Sequence, residues 1–193
     1  NIGLQNQWLD IRGVIKTDNT YRNAKIDWDI TSSLVQQTFT KECFVTQGFI
    51  ASTSENHTTT LGREGSDFTA AIIAFSLDAK EVVIWKNVPG LMNADPNYFP
   101  EAKLLSNVSF DEAIELAFFG AKVIHPKTIQ PLKKKGIPLR IKSFINEKSP
   151  GTIIAELVHA DFNLASYIIK EQQILISISD RELSFIVENH ISQ

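Results

Sequence analysis

A single cysteine, Cys43, is all the chain of 193 residues carries. That excludes an intrachain disulfide framework and fits a reducing compartment. Lying in the apolar run Cys43-Phe44-Val45, it reads as inert core rather than as a nucleophile. Histidine is scarce too: His57, His125, His159 and His190 are far apart and have no cysteine or carboxylate at ligand spacing, so no metal site is expected. Neither sign of charge dominates, since 19 basic and 22 acidic residues leave a net charge of −3. The one basic run, Lys133-Lys134-Lys135, reads as a solvated helix end, and the charged footprint of a nucleic-acid binder is missing. No run approaches the ~18 apolar residues that cross a bilayer, and Asn1 to Gln7 lack the basic and apolar regions of a signal peptide. Together these absences point to a cytoplasmic protein with neither nucleic acid nor membrane as partner.

What is present is ordinary globular composition, 43% hydrophobic and 21% charged, in a length that allows one domain and part of a second. Residues 29–40 carry Ile30, Leu34, Val35 and Phe39 at approximate helical spacing, followed by the extended run from Cys43 to Thr46. Phe49 and Ile50 prolong or follow that strand. Ser52 to Leu61 is polar and threonine-rich and reads as a long loop that ends in the turn Gly62 to Gly65. An apolar helix then begins near Phe68, with Ser66 or Asp67 as its N-cap. Val82 to Trp85 reads as a strand buried on both faces.

Ser109 with Glu112 forms a capping box that opens a helix to about Phe119. Gly120 ends it, Val123-Ile124 reads as a short extended piece, and Pro126 starts a helix that closes at Gly136. Leu139 to Lys142 is a further strand. Helices alternating with short buried strands predict an α/β fold with a mostly parallel sheet. The texture changes after Pro150-Gly151-Thr152, and a boundary is expected near His159.

Chemistry concentrates in Thr58-Thr59-Thr60-Leu61-Gly62-Arg63-Glu64-Gly65-Ser66-Asp67. Glycines let a backbone approach an anion, a helix N-terminus presents unpaired N–H groups, and three threonine hydroxyls with Arg63 add donors. A phosphate or carboxylate site fits the segment; so does a plain loop with a helix cap. His125 could point into a cleft, although capping a turn suits it better. Trp8, Trp28 and Trp85 read as packing residues.

The same segment, continued by Ala70-Ala71, closely resembles the aspartate kinase signature. The resemblance extends through Ile84 to Gly90, Ala94-Asp95-Pro96, Glu115 to Pro126 and Ser149 to Thr152, four further stretches in family order. It implies the amino acid kinase fold, a three-layer αβα sandwich around a mostly parallel eight-stranded sheet. Residues 1–158 would be the C-terminal, nucleotide-binding part of that domain. Residues 159–193 would open an ACT regulatory domain, which in this family binds lysine or threonine as feedback inhibitor and mediates oligomerisation.

The implied reaction moves the ATP γ-phosphate, with Mg²⁺, to the side-chain carboxylate of L-aspartate, the first step of lysine, threonine and methionine biosynthesis. Residue by residue, the resemblance implies that Arg63 pairs with the substrate α-carboxylate, Ser66 hydrogen-bonds it, Asp67 holds its ammonium and Phe49 packs beside it. For the nucleotide it implies Lys86, Asn87, Met92 and Asn97, with Lys122 at the ATP phosphates; Asp67 and Lys122 would be the catalytic pair. Lys122 without the resemblance reads as a solvated lysine.

Five positions depart from the family pattern. Lys86-Asn87 replaces Thr-Asp, Met92 replaces tyrosine, Asn97 replaces arginine and Glu64 stands where glycine is common, which a negative φ would tolerate. The Lys-Phe-Gly-Gly-Thr-Ser segment with which the family opens does not occur, so the chain alone is expected to be inactive. Two other readings remain: a non-catalytic amino-acid sensor of the same fold, and a sibling kinase acting on another acceptor.

Overall fold

The computed structural model describes residues 3–40, 43–120, 123–156, 165–172 and 174. The expected ACT-like segment and its boundary near His159 fall largely outside these residues, as does Lys122. Among the described residues no helix is long and apolar enough to cross a membrane.

A short parallel pair opens the fold, β1 (Gln7–Leu9) with β2 (Phe44–Thr46). Between them runs α1 (Trp28–Thr38), begun by Asp27, whose carboxylate accepts from the Ile30 N–H. The threonine-rich stretch is not a free loop. β3 (Ile50–Ser52) and β4 (Thr58–Thr60) form an antiparallel hairpin whose register pairs Ala51 with Thr59. The polar alternation of a half-buried strand explains the misreading, because only Thr59 turns inward, at 1% exposure.

α2 (Gly65–Leu77) is the central helix, with Phe68, Ala71, Ile72 and Ala74 buried. A fully buried isoleucine such as Ile72 contributes about 1.5–3 kcal/mol relative to exposure. α2 packs against α1, α4 and the sheet that follows. Trp28 fixes the α1–α2 contact by edge-on packing with Phe75, ring centroids 4.9 Å apart. Such pairs add about 0.5–1.5 kcal/mol beyond area burial.

The four-stranded sheet has the order β5-β7-β8-β6. β5 (Val82–Lys86) lies parallel to β7 (Leu139–Ser143), β7 antiparallel to β8 (Thr152–Ala155), and β8 parallel to β6 (Asn107–Ser109). Parallel pairing therefore dominates, with one antiparallel ladder in this sheet. β5 is buried on one face only: Val82 and Ile84 face the core, while Val83 and Trp85 are 37% and 48% exposed. A continuous apolar run cannot reveal that one face is uncovered.

α3 (Phe110–Phe119) begins at Ser109, whose hydroxyl accepts from the Glu112 N–H at 3.1 Å, as half of the expected capping box. Val123-Ile124 forms a turn instead of an extended piece. α4 (Pro126–Lys135) follows, N-capped by His125 through Nδ1 and closed by Gly136 at φ 63°. The lysine run is more engaged than a solvated end: Lys133 pairs with Asp111 and Lys135 with Asp78.

Candidate functional site

Several of the expected site residues gather at the N-terminus of α2. The helix starts from Glu64 in the left-handed region, φ 51° and ψ 34°, without a side-chain cap; Ser66 and Asp67 lie in the first turn instead of capping it. The negative φ expected of Glu64 is thus not observed, and its Oε2 is buried without a partner. The first-turn amides of any helix lack intrahelical acceptors, so Ser66 and Asp67 present N–H groups beside their own side chains.

Phe49 closes one flank. Its own φ is +75° and its N–H donates to Thr69 Oγ1 on α2 at 3.0 Å. Little room is left around it: a Cβ on Gly65 would stand 2.7 Å from Phe49 Cδ2, and one on Gly48 would stand 3.0 Å from Ser66 Cα. Phe49, Ser66 and the helix amides are therefore brought together by two glycines that permit contact.

The loop before the helix is anchored from behind by a residue that sequence reasoning passed over. Lys127 reaches from α4 to Asn23 Oδ1 and to the Leu61 carbonyl, both at 2.9 Å, with the Phe68 ring 4.8 Å below its ammonium. Burial pushes the Lys127 pKa down.

The threonine hydroxyls do not line an anion pocket. Thr59 bonds Thr17 Oγ1 at 2.8 Å, Thr60 donates to the Arg22 carbonyl at 2.9 Å, and Thr58 accepts from Arg12 at 3.1 Å. Their side chains belong to the hairpin and its supports. Arg63 and Ser66 are exposed, so the start of this helix presents an open surface.

Asp67 is already partnered. Its Oδ2 accepts from Lys86 Nζ at 2.6 Å, with side-chain exposures of 15% and 25%. Lys86 ends β5, so the pair ties the first turn of α2 to the strand that leads into the neighbouring cavity.

That cavity, about 660 Å³, is lined by Val88, Pro89, Gly90 and residues 92–98, with Leu116, Gly120 and Val123. Its size is that of a site for a drug-sized or cofactor-sized ligand. Met92 and Asn97 are both in its wall. The Asn97 amide is held by Asp95, whose Oδ1 accepts from both Asn97 N and Nδ2 at 2.9 Å. Asn87 is exposed and, like Lys86, is not among the lining residues. Lys122 is not described, although Gly120 and Val123 on either side of it line the cavity.

The cavity loop is pinned to the sheet by Thr152. Its hydroxyl donates to the Leu105 carbonyl at 2.7 Å and accepts from the Leu91 N–H at 2.8 Å. A Cβ on Gly90, at φ 152°, would come within 2.4 Å of that hydroxyl. An outer wall, invisible in the sequence, comes from Tyr167 to Glu171. It is held by Tyr167 N to the Asn93 carbonyl at 2.7 Å, by Asn93 Nδ2 to the Ala165 carbonyl at 3.1 Å, and by Phe99 against Tyr167. A hydrogen bond to Glu171 raises the Tyr98 pKa.

Residues 1–143 match the amino acid kinase family. The chain is 40% identical over 167 residues to bifunctional aspartokinase/homoserine dehydrogenase 2 of Arabidopsis thaliana, covering 84% of this chain and 18% of that protein. It is 39% identical over 155 residues to lysine-sensitive aspartokinase 3 of Escherichia coli, covering 78% and 34%. The crystal structure of Escherichia coli aspartokinase III with aspartate and ADP superposes with a TM-score of 0.77 at 38% identity, over 80% of this chain and 36% of that one. The chain thus spans about a fifth to a third of the length of these relatives. A match over most of the sequence, and a fold shared with a solved member, place this chain in the amino acid kinase family.

Proposed function

We propose that this chain is the nucleotide-binding part of an aspartate kinase, which transfers the γ-phosphate of ATP to the side-chain carboxylate of L-aspartate. The observation that carries the reading is the juxtaposition of an open α2 N-terminus, with Ser66 in its first turn and Arg63 and Phe49 beside it, with a nucleotide-sized cavity whose wall begins two residues after β5. The relative solved with aspartate and ADP has the same fold.

Arg63 suits the substrate α-carboxylate, because a guanidinium meets two carboxylate oxygens with parallel N–H donors. Ser66 and the first-turn amides offer further donors, and Phe49 supplies an apolar flank. The nucleotide would lie along Val88 to Asn97, with Met92 against its apolar part. Lys122 would meet the phosphates.

Mg²⁺ would enter on phosphate oxygens with one or two carboxylates, its usual mode at such sites. Its contribution is to offset charge on the transferring group. Among the described residues no cluster of three metal-ligating side chains occurs. Lysine or threonine feedback through residues 159–193, a cytoplasmic location and a homo-oligomer are parts of the same proposal; a lysine-sensitive relative supports the first.

The full-length protein, given ATP, Mg²⁺ and aspartate with hydroxylamine as trap, should yield aspartyl hydroxamate. No hydroxamate, with ATP ignored but lysine or threonine bound, would instead mark an amino-acid sensor.

A further inference from the structure

We infer that Lys127 is a positioning residue for the reaction: its ammonium, reaching over from α4, holds the backbone on which Arg63 is presented to the amino-acid substrate. The inference rests on the aspartate kinase reading and deepens it, because on that reading Arg63 receives the substrate α-carboxylate and Lys127 acts through it.

Arg63 is exposed, so its place is set by the turn beneath it. That turn is closed by the Gly65 N–H, which donates to the Gly62 carbonyl at 3.1 Å. The chain enters it through Leu61, which is fully buried and has both backbone groups engaged. Its N–H donates to the Phe49 carbonyl and its carbonyl accepts from Lys127 Nζ, each at 2.9 Å. The same ammonium donates to Asn23 Oδ1 at 2.9 Å. Asn23 lies so close to the turn that a Cβ on Gly62, at φ 75°, would run into its Oδ1. One cation thus fixes both the residue before the turn and the side chain packed on the turn's first member.

The base of that cation is itself fixed. Lys127 lies in the first turn of α4, where its N–H donates to His125 Nδ1 at 3.1 Å, and Thr128, Ile129 and Leu132 of the same helix are fully buried. α4 packs along α2, the helix that the turn opens. A surface lysine ordinarily runs its stem over apolar groups and leaves its head in water. Lys127 instead holds its ammonium 4.8 Å from the centre of the Phe68 ring, where burial disfavours the charged form and lowers its pKa. Acceptors from segments 66 and 104 residues away in the chain offset that cost. An ammonium with three donors serves both at once.

Without it the Leu61 carbonyl loses its partner and the turn is free to shift. A guanidinium that meets a carboxylate through two parallel N–H donors tolerates little displacement. Aspartate binding should therefore suffer, while the nucleotide cavity, which neither Lys127 nor Leu61 lines, should not.

The test compares Lys127→Met, Lys127→Arg, Asn23→Ala and Arg63→Ala with the wild type in the full-length protein. Wild-type hydroxamate formation and the aspartate KM of Arg63→Ala report on the aspartate kinase reading alone; the other variants report on Lys127. Lys127→Met keeps an unbranched stem over Phe68 and should raise the aspartate KM roughly 10-fold, the scale of lost hydrogen bonds to a charged group, with the ATP KM and the calorimetric Kd for ADP within about 2-fold. Lys127→Arg keeps charge and donors and should bring the aspartate KM back to within about 3-fold of wild type. Asn23→Ala, at an exposed position, loses one of the two contacts and should raise it about 3-fold; it decides the matter should Lys127→Met prove too unstable to assay. In the Arg63→Ala background, Lys127→Met should add less than about 2-fold to the aspartate KM, because residues acting through one contact are not additive.

Full additivity in that double variant would overturn the assignment. So would an equal rise in the aspartate KM and the ADP Kd, the mark of general loosening, or an aspartate KM unchanged in both Lys127→Met and Asn23→Ala while Arg63→Ala raises it. An inactive wild type, or an aspartate KM unmoved in Arg63→Ala, would overturn the reading on which the inference rests and the inference with it.

Discussion

Replacing Thr152 by valine removes one hydroxyl and keeps the shape, so the loss can be assigned. In the folded protein that hydroxyl bridges the Leu91 N–H at 2.8 Å and the Leu105 carbonyl at 2.7 Å, in a place where all three residues are at most 2% exposed. Water cannot take over either bond without opening the sheet. Each buried backbone group left unpaired costs about 1–3 kcal/mol, and the two together about 2–6 kcal/mol. For a protein of this size, 1 kcal/mol corresponds to roughly 2–4 °C in Tm, so Thr152→Val should lower the midpoint by about 4–24 °C. Thr152→Ser keeps the hydroxyl and should recover most of the loss. Because Leu91 and Leu105 frame the loop that forms the cavity, ADP affinity in Thr152→Val should fall as well. Thermal unfolding and calorimetry read both effects. A drop in Tm below about 2 °C would refute the claim that this hydroxyl holds the loop to β8.

Glu64→Gly should stabilise the protein by about 1 kcal/mol, because a side chain in the left-handed region costs roughly 1–2 kcal/mol while the added flexibility of glycine returns part of the gain to the unfolded chain; comparative denaturation decides. Asp10 is held down to about pKa 2 from 3.8, chiefly by the Arg12 side chain and then by the Arg12 N–H. A depressed carboxyl pKa stabilises above the unfolded value and loses that contribution as pH falls. Stability should therefore decline between about pH 4 and 2 by an amount absent in Asp10→Asn, and small because the Asp10–Arg12 pair is exposed.

Much of the fold was legible because its signals are local. Helical periodicity, the Ser109 cap, Pro126 at a helix start and Gly136 at a helix end all act within a few residues. β6 and β8, by contrast, are three and four residues long and are defined by pairing with strands distant in sequence. The hairpin arm Thr58–Thr60 escaped for a related reason: its threonines are satisfied by Thr17, Arg22 and Arg12, which no window around residue 60 contains.

The site divides in the same way. Ser66 and Asp67 were legible at a helix start, and only the resemblance added Phe49, which the fold brings to that helix end. The Lys86–Asp67 pair, the Lys127 anchor and the outer wall at Tyr167 were not, because each joins segments between 19 and 104 residues apart in the chain. Lys86 shows the difference best. The sequence marks it as a departure from a family pattern, and only the fold shows what it holds.

The claim on which everything turns is that Arg63, standing open at the N-terminus of α2, receives the α-carboxylate of aspartate. Steady-state kinetics of Arg63→Ala in the full-length protein tests it most directly. Loss of a charged bidentate contact of about 2–4 kcal/mol should raise the aspartate KM by roughly 30- to 1,000-fold while the ATP KM stays within about 3-fold. An aspartate KM that does not move would contradict the account.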